Sequence, residues 1–550
     1  MKNFLKQVGA NLTALTLFFV LLAVAFSSSV LLNLKKNIVP VTQTHQKLVP
    51  NSILHITLEG ELVEYKKNAL STGFSLAGLR YALEQAAQDE DIRGVFIELT
   101  SHFNAKGYAH LDTIRKYIKN FQKSGKPVHI YSESYTLPFV ATFASADNLT
   151  LHPVGRVNLQ GPYGMLFYRK KVLERLGITP FVFQSGKNKN HGEEYVKDKP
   201  SVETQKSMLD IYKFLYNDSL KKVEQAKHMP KGTIHQINID HAFLNPKQAC
   251  QYKIINSIGA KQEALEAFKA SFNFQPDKKN TVNEISLTAY VKEKQQAQTQ
   301  RNEEAKILVL SLEGDITDGK SSENNISSEK VVPIIKKYTE DKSYKGLVII
   351  VNSRGGDVMA CEKIQYEIIQ ICKAKPVVAL IRNMGASAGY AIIMNAHHIV
   401  AHEQSIVGSI GTVSIGFDIS KLMKKMGVHV ETIKTSPNSS NVYEALNEKT
   451  KAAYQAFNKY MAQRFKNSVL KARKGKIDPK VLDEFADGRV EFGEKAKAIG
   501  LIDEIGDLDT SLEKAAELAD LKPGKYTVYY HKEPIYLQNI LVQQFVSAAT

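Results

Sequence analysis

The feature that most constrains this chain is that it is written twice. Residues 53–62, ILHITLEGEL, return as residues 307–316, ILVLSLEGDI. Arg93-Gly-Val-Phe-Ile97 then corresponds to Lys345-Gly-Leu-Val-Ile349, Lys126-Pro-Val128 to Lys375-Pro-Val377, and Arg175-Leu-Gly-Ile178 to Lys425-Met-Gly-Val428. The spacing between matched pieces drifts slowly, as a duplication with small loop changes requires. Within each copy, short apolar runs alternate with helical stretches such as 331–338 and 360–373. That alternation predicts parallel strands joined by right-handed crossovers, so each half is an α/β unit. Long amphipathic helices are expected over 202–228 and 447–474, and the polar, Gln-rich stretch 290–304 reads as a linker. The resulting division is a tail and anchor over 1–48, a first α/β repeat over 49–285, a linker over 286–305 and a second repeat over 306–550.

The copies are chemically unequal. In the second, the apolar run 376–381 leads into Gly385-Ala-Ser-Ala-Gly389 and then an apolar helical segment. A serine among small residues, after a strand and at a helix start, is placed as a nucleophile usually is. Upstream, the strand 346–351 ends in Asn352-Ser-Arg-Gly-Gly356. Two glycine-rich strand ends on one sheet could supply a nucleophile and an oxyanion hole. The first copy has Thr100-Ser-His-Phe-Asn104 opposite the glycine pair and Leu137-Pro138 opposite Ser387. What it has instead is Ser185-Gly-Lys-Asn-Lys-Asn190, whose Lys189 falls opposite Ser439. One half offers a serine and the other a lysine. Lys187 and Lys189 are two positions apart and would share a face on an extended segment, so spacing alone does not choose between them. Lys197 and Lys199 lie in a charged, solvated run, and His397 and His398 read as ordinary loop residues at the end of the serine's helix.

Residues 12–34 are apolar apart from small or hydroxylated residues and Asn33. Twenty-three residues rise roughly 34 Å as a helix, enough to cross a bilayer. The run continues past the plausible cleavage triplet Ala23-Val-Ala25, too long for a usual signal core, so a retained anchor is expected. Lys2 and Lys6 precede it and Lys35 and Lys36 follow, so charge leaves its orientation open. The net charge of +16 is mostly scattered lysine with no compact arginine-rich tract or nucleic-acid motif. That balance fits a surface beside lipid headgroups better than a nucleic-acid partner. Cys250, Cys361 and Cys372 have neither zinc-site nor disulfide spacing.

In combination, the anchor, the duplication, Asn352-Ser-Arg-Gly-Gly356, Gly385-Ala-Ser-Ala-Gly389, Gly408-Ser-Ile-Gly411, Gly186-Lys-Asn-Lys189 and Ala486-Asp-Gly-Arg-Val490 resemble the long tandem form of signal peptide peptidase A, or protease IV. The resemblance implies two crotonase-like or Clp-protease-like α/β domains behind an N-terminal transmembrane helix. It implies a Ser–Lys dyad with Ser387 as nucleophile and Lys189 as base, and an oxyanion hole of backbone N–H groups at Gly356 and Ala388. It further implies no cofactor or metal, peptide or signal-peptide substrates, and contact with the bilayer through the N-terminal helix. A homo-oligomer, a tetramer forming a dome on the membrane, is implied as well. So is a place in the bacterial inner membrane with the bulk of the chain on the periplasmic side. The chain departs from the family pattern at Arg354, Asp357, the Ala-Gly after Ser387, and Asn190-His191 after the lysine. Asn190 can still accept a hydrogen bond from the amine, and Asp357 could pair with a lysine or with Arg354. Two other readings keep the fold: a peptide-binding scaffold without catalysis, and a crotonase-type enzyme acting on an acyl-thioester.

Overall fold

Two mostly parallel sheets, one per repeat, frame the computed structural model, which describes residues 47–533 apart from 69–70, 72, 273–281, 299–304, 320–324, 437–438, 440 and 524. In the first sheet the strands run in the order Ser257–Ile258, Asn148–Asn158, Val128–Thr136, Ile92–Leu99, Ser52–Leu58 and Asn283–Ser286, with parallel pairing throughout. The second follows the same plan. Its order is Val490–Phe492, Ile406–Gly408, Val377–Ala386, Tyr344–Ser353, Lys306–Glu313 and Thr527–Tyr530, with His398–Ala401 also beside Val377–Ala386. Its one antiparallel pairing among the described residues joins Ile406–Gly408 to Val490–Phe492. Val377, Val378, Ala379, Leu380 and Ile381 are all fully buried, the unbroken apolar run expected of a strand covered on both faces.

The two sheets share a local irregularity. Val377–Ala386 pairs first with His398–Ala401 and then, after a break, with Ile406–Gly408. Its counterpart Val128–Thr136 shifts register on Asn148–Asn158 between Ser132 and Ser134. The loop pairings also match: Ile316 bridges Gly356 in the second repeat as Glu61 bridges Asn104 in the first. The expected long helices form as Val202–Ala226 and Glu448–Ala472, capped by Ser201 and Asn447 side chains.

Among the contacts that join the halves, two stand out. Thr179–Gln184 of the first repeat pairs antiparallel with Val413–Asp418 of the second. Separately, Arg382 donates to both carboxylate oxygens of Glu64 at 2.5 and 2.7 Å, with neither side chain exposed by more than 2%. Burial alone would raise the Glu64 pKa, but the Arg382 charge and the His110 contact hold it at about 2. Replacing one member of such a pair strands the other as an unsolvated charge.

The stretch read as a linker differs in its first part. Leu287–Gln298 is a helix, and its Tyr290 is fully buried and donates to Asp89 at 2.8 Å. A buried aromatic anchors an otherwise polar segment, which composition does not reveal. The anchor expected over 12–34 lies outside the described residues. Among the described residues no helix is long and apolar enough to cross a membrane.

Candidate active site

Ser387 sits at the junction of the strand Val377–Ala386 and the short helix Ala388–Ala391. Its backbone, φ 54° and ψ −124°, lies where a residue with a Cβ is strained, and such strain persists only where the surroundings enforce it. Here the Ser387 N–H donates to the Gly408 carbonyl at 2.8 Å, and the Ser387 carbonyl accepts from Tyr390 and Ala391 at 3.0 Å each. The sharp turn lifts the hydroxyl off the end of the strand.

The glycine loop at the end of Tyr344–Ser353 presses directly on this serine. A Cβ built on Gly355, where φ is +109°, would come within 2.9 Å of Ser387 Cβ and 3.0 Å of the Ala388 nitrogen. One on Gly356 would fall 2.0 Å from the Ile316 carbonyl oxygen, and one on Gly389 would fall 2.6 Å from the Ser353 carbonyl oxygen. Glycine is required because backbone meets backbone here. Ile316 donates to the Gly355 carbonyl at 2.9 Å, and Asp357 N–H donates to the Ile316 carbonyl at 2.8 Å. That parallel bridge leaves the Gly356 N–H pointing the other way. Among the hydrogen bonds of the described residues, neither the Gly356 nor the Ala388 N–H has a partner.

Lys189 reaches this point from the first repeat. The ribbon continues past Gln184 through Ser185, whose N–H donates to the Thr412 carbonyl at 3.0 Å, and a turn over 185–188 aims Lys189 inward. Its Nζ lies 2.9 Å from Ser387 Oγ, 2.7 Å from the Ser409 carbonyl oxygen and 2.9 Å from Ser409 Oγ. Lys189 is 6% exposed, and burial lowers its pKa from 10.5 to about 8. A neutral amine has two N–H groups for the two Ser409 oxygens, which leaves its lone pair for the Ser387 hydroxyl proton. Ser409 also reaches the amine, but the glycine loop adjoins Ser387.

The turn also separates the two lysines that spacing could not. Because 185–188 is not extended, Lys187 is exposed while Lys189 is buried. Lys197 and Lys199 are exposed as well. His397 Nδ1 accepts the Val377 N–H at 3.1 Å, and His398 contacts Glu504 at 2.9 Å, both at the opposite end of the strand from Ser387. Two expectations are overturned. Asn190 does not receive the amine: its Oδ1 is buried without a partner among the described residues, and Ser409 takes that role. Asp357 pairs with no cation among the described residues; its carboxylate accepts from the Ala360 N–H at 2.8 Å and caps the helix Val358–Ala374. Arg354 instead grips Asp315 with two 2.7 Å contacts. Sequence reasoning leaves Ser409 unassigned, although its place between glycines at a strand end is a signal.

The sequence pattern of peptidase family S49 matches residues 120–275 and 370–522, one stretch in each repeat and more than half of the chain. Protease 4 of Salmonella typhi is 29% identical over 476 residues, covering 85% of this chain and 75% of its own. Protease 4 of Haemophilus influenzae is 28% identical, covering 80% and 72%. The chloroplastic serine protease SPPA of Arabidopsis thaliana is 26% identical, covering 87% and 71%. Among solved structures, a mutant ClpP1 from Listeria monocytogenes aligns with 37% of this chain and 94% of its own at 15% identity and a TM-score of 0.25, too slight a likeness to argue from.

Proposed function

This chain belongs to peptidase family S49 and is a serine protease, and we propose that Ser387 is its nucleophile and Lys189 its general base. The observation that carries this reading is the 2.9 Å approach of a buried, weakly basic amine to a strained, glycine-flanked serine. A lysine at its ordinary pKa is protonated at neutral pH and cannot accept a proton; desolvation supplies the neutral form. The neutral amine takes the Ser387 proton as the oxygen attacks a peptide carbonyl, and the Gly356 and Ala388 N–H groups meet the developing oxyanion. Each such donor is worth roughly 2.7–4 kcal/mol. The ammonium, held by the Ser409 oxygens, then protonates the leaving nitrogen, and water hydrolyses the acyl-enzyme by the same route.

The substrate in this reading is an extended peptide laid beside the glycine loop as an added strand. Signal-peptide remnants in the membrane fit the apolar 12–34 segment, which would tether the enzyme in a bacterial inner membrane with its bulk outside the cytoplasm. Each repeat is read as a crotonase-like or Clp-protease-like unit. Assembly into a ring is supported by the exposed side chains Tyr163, Met165, Phe167, Phe457 and Tyr460.

A fluorophosphonate probe and a casein or signal-peptide cleavage assay test the dyad together. Labelling and cleavage are expected in the wild type and lost in both Ser387→Ala and Lys189→Ala. Cleavage that survives in either variant refutes the assignment.

A further inference from the structure

Lys189 has no regular structure of its own to fix it, since it follows directly on the turn over 185–188. Its N–H closes its own turn on the Gly186 carbonyl at 3.1 Å, and the turn as a whole is held against residues 486–490 of the second repeat. The Asn188 N–H donates to the Asp487 carbonyl at 3.0 Å, and Asn188 Nδ2 donates to Asp487 Oδ2 at 2.7 Å. A Cβ on Gly488, where φ is +96°, would come within 2.5 Å of the Lys189 nitrogen, and one on Gly186 within 2.3 Å of the Asp487 carbonyl oxygen. The two loops therefore touch through bare backbone. Arg489 in turn grips the Asp487 carboxylate, with Nε at 2.9 Å from Oδ1 and Nη2 at 2.7 Å from Oδ2. The Arg489 carbonyl accepts the Ser409 N–H at 2.7 Å. Through these contacts one carboxylate ties the residue before the amine to the residue that receives the amine.

On the reading of Lys189 as the base, we propose that Asp487 is a positioning residue for the reaction, setting the Lys189 amine and its Ser409 acceptors in register against Ser387. Asp487 touches none of the reacting atoms. Burial works against its ionisation, but Arg489 and Asn188 together lower its pKa, so the carboxylate is charged at neutral pH and grips both partners. Asn188 is the independent handle on the same contact, because it sits on the other repeat.

The test uses the full chain with Asp487→Asn, Asn188→Ala, the double variant and Lys189→Ala. A fluorogenic peptide gives kcat and KM from pH 6 to 10. Misplacing a catalytic group by about 1 Å costs on the order of 100-fold, so kcat is expected to fall about 10- to 100-fold with KM within about twofold. A loosened loop admits water to the amine, so the rising limb of the pH profile should move up toward the ordinary lysine value of ~10.4. The double variant should lose no more than the worse single variant. A kcat within about twofold of wild type in either single variant overturns the proposal. So does a reduced kcat on an unmoved limb, the result of a purely structural contact. If Lys189→Ala still cuts, the dyad fails and this proposal with it. If Lys189→Ala is dead while the Asp487 and Asn188 variants are unaffected, only the positioning role fails.

Discussion

The burial of Lys189 makes a quantitative prediction about pH. With the titration point lowered from 10.5 to about 8, the neutral fraction at pH 7 rises from about 0.03% to about 10%, a gain of about 300-fold in usable base. Desolvation of the 6%-exposed side chain is the cause. The sign follows directly: protonation removes the lone pair, so kcat/KM should fall about tenfold per pH unit below about 8 and level off above it. The measurement is kcat/KM on a fluorogenic peptide from pH 6 to 10, repeated with the rate of fluorophosphonate labelling, which reads the free enzyme without a leaving amine. Both should rise through one midpoint near 8. A midpoint near 10.5 would show that the amine is solvated in the working enzyme, and one at about 6.5 would point to a histidine; either result refutes the reasoning.

Three further outcomes are expected. Ser409→Ala removes a hydrogen bond to the amine worth roughly 1.5–3 kcal/mol when charged, so kcat should drop about 10- to 100-fold in steady-state assays while the protein melts normally. Gly355→Ala forces a Cβ to within 2.9 Å of Ser387 Cβ at a φ of +109°, and labelling of Ser387 should slow at least ~100-fold. Glu64→Gln leaves Arg382 buried without its counter-charge and should destabilise the fold by about 3–5 kcal/mol in denaturant titration. In the wild type Glu64 is held at about 2 against 4.5 when free. The unfolded chain therefore binds the extra proton first, and this contribution to stability is lost as pH falls from 4.5 toward 2.

Much of the architecture is legible in the sequence because duplication doubles the signal. The motif 385–389 announces a strand-to-helix turn, and Ser387 lies at that turn. Glycines at 355 and 356 announce a close backbone approach, and the clashes their Cβ atoms would make bear this out. What stays hidden depends on partners distant in sequence. The glycines around Ser409 mark a special loop, but not its role, which shows only when Lys189, 220 residues earlier, is seen to donate to it. Asn190 is chemically suited to orient the amine, but its Oδ1 is buried without a partner among the described residues. Asp357 resembles a salt-bridge partner because its capping geometry depends on the backbone angle at which the helix starts. Arg382, in the middle of an apolar strand, gives no sign that Glu64 of the other repeat will meet it.

The pairing of Thr179–Gln184 with Val413–Asp418 has a consequence for biosynthesis. A chain emerging from the ribosome folds its leading domain first, and on the proposed dyad that portion carries a base with nothing to deprotonate. The alcohol arrives 198 residues later, and the Asp487–Arg489 loop that steadies the amine later still. On the proposed dyad, a nascent or truncated polypeptide therefore lacks half of the chemistry, and the capacity to cut is expected only when translation is nearly finished.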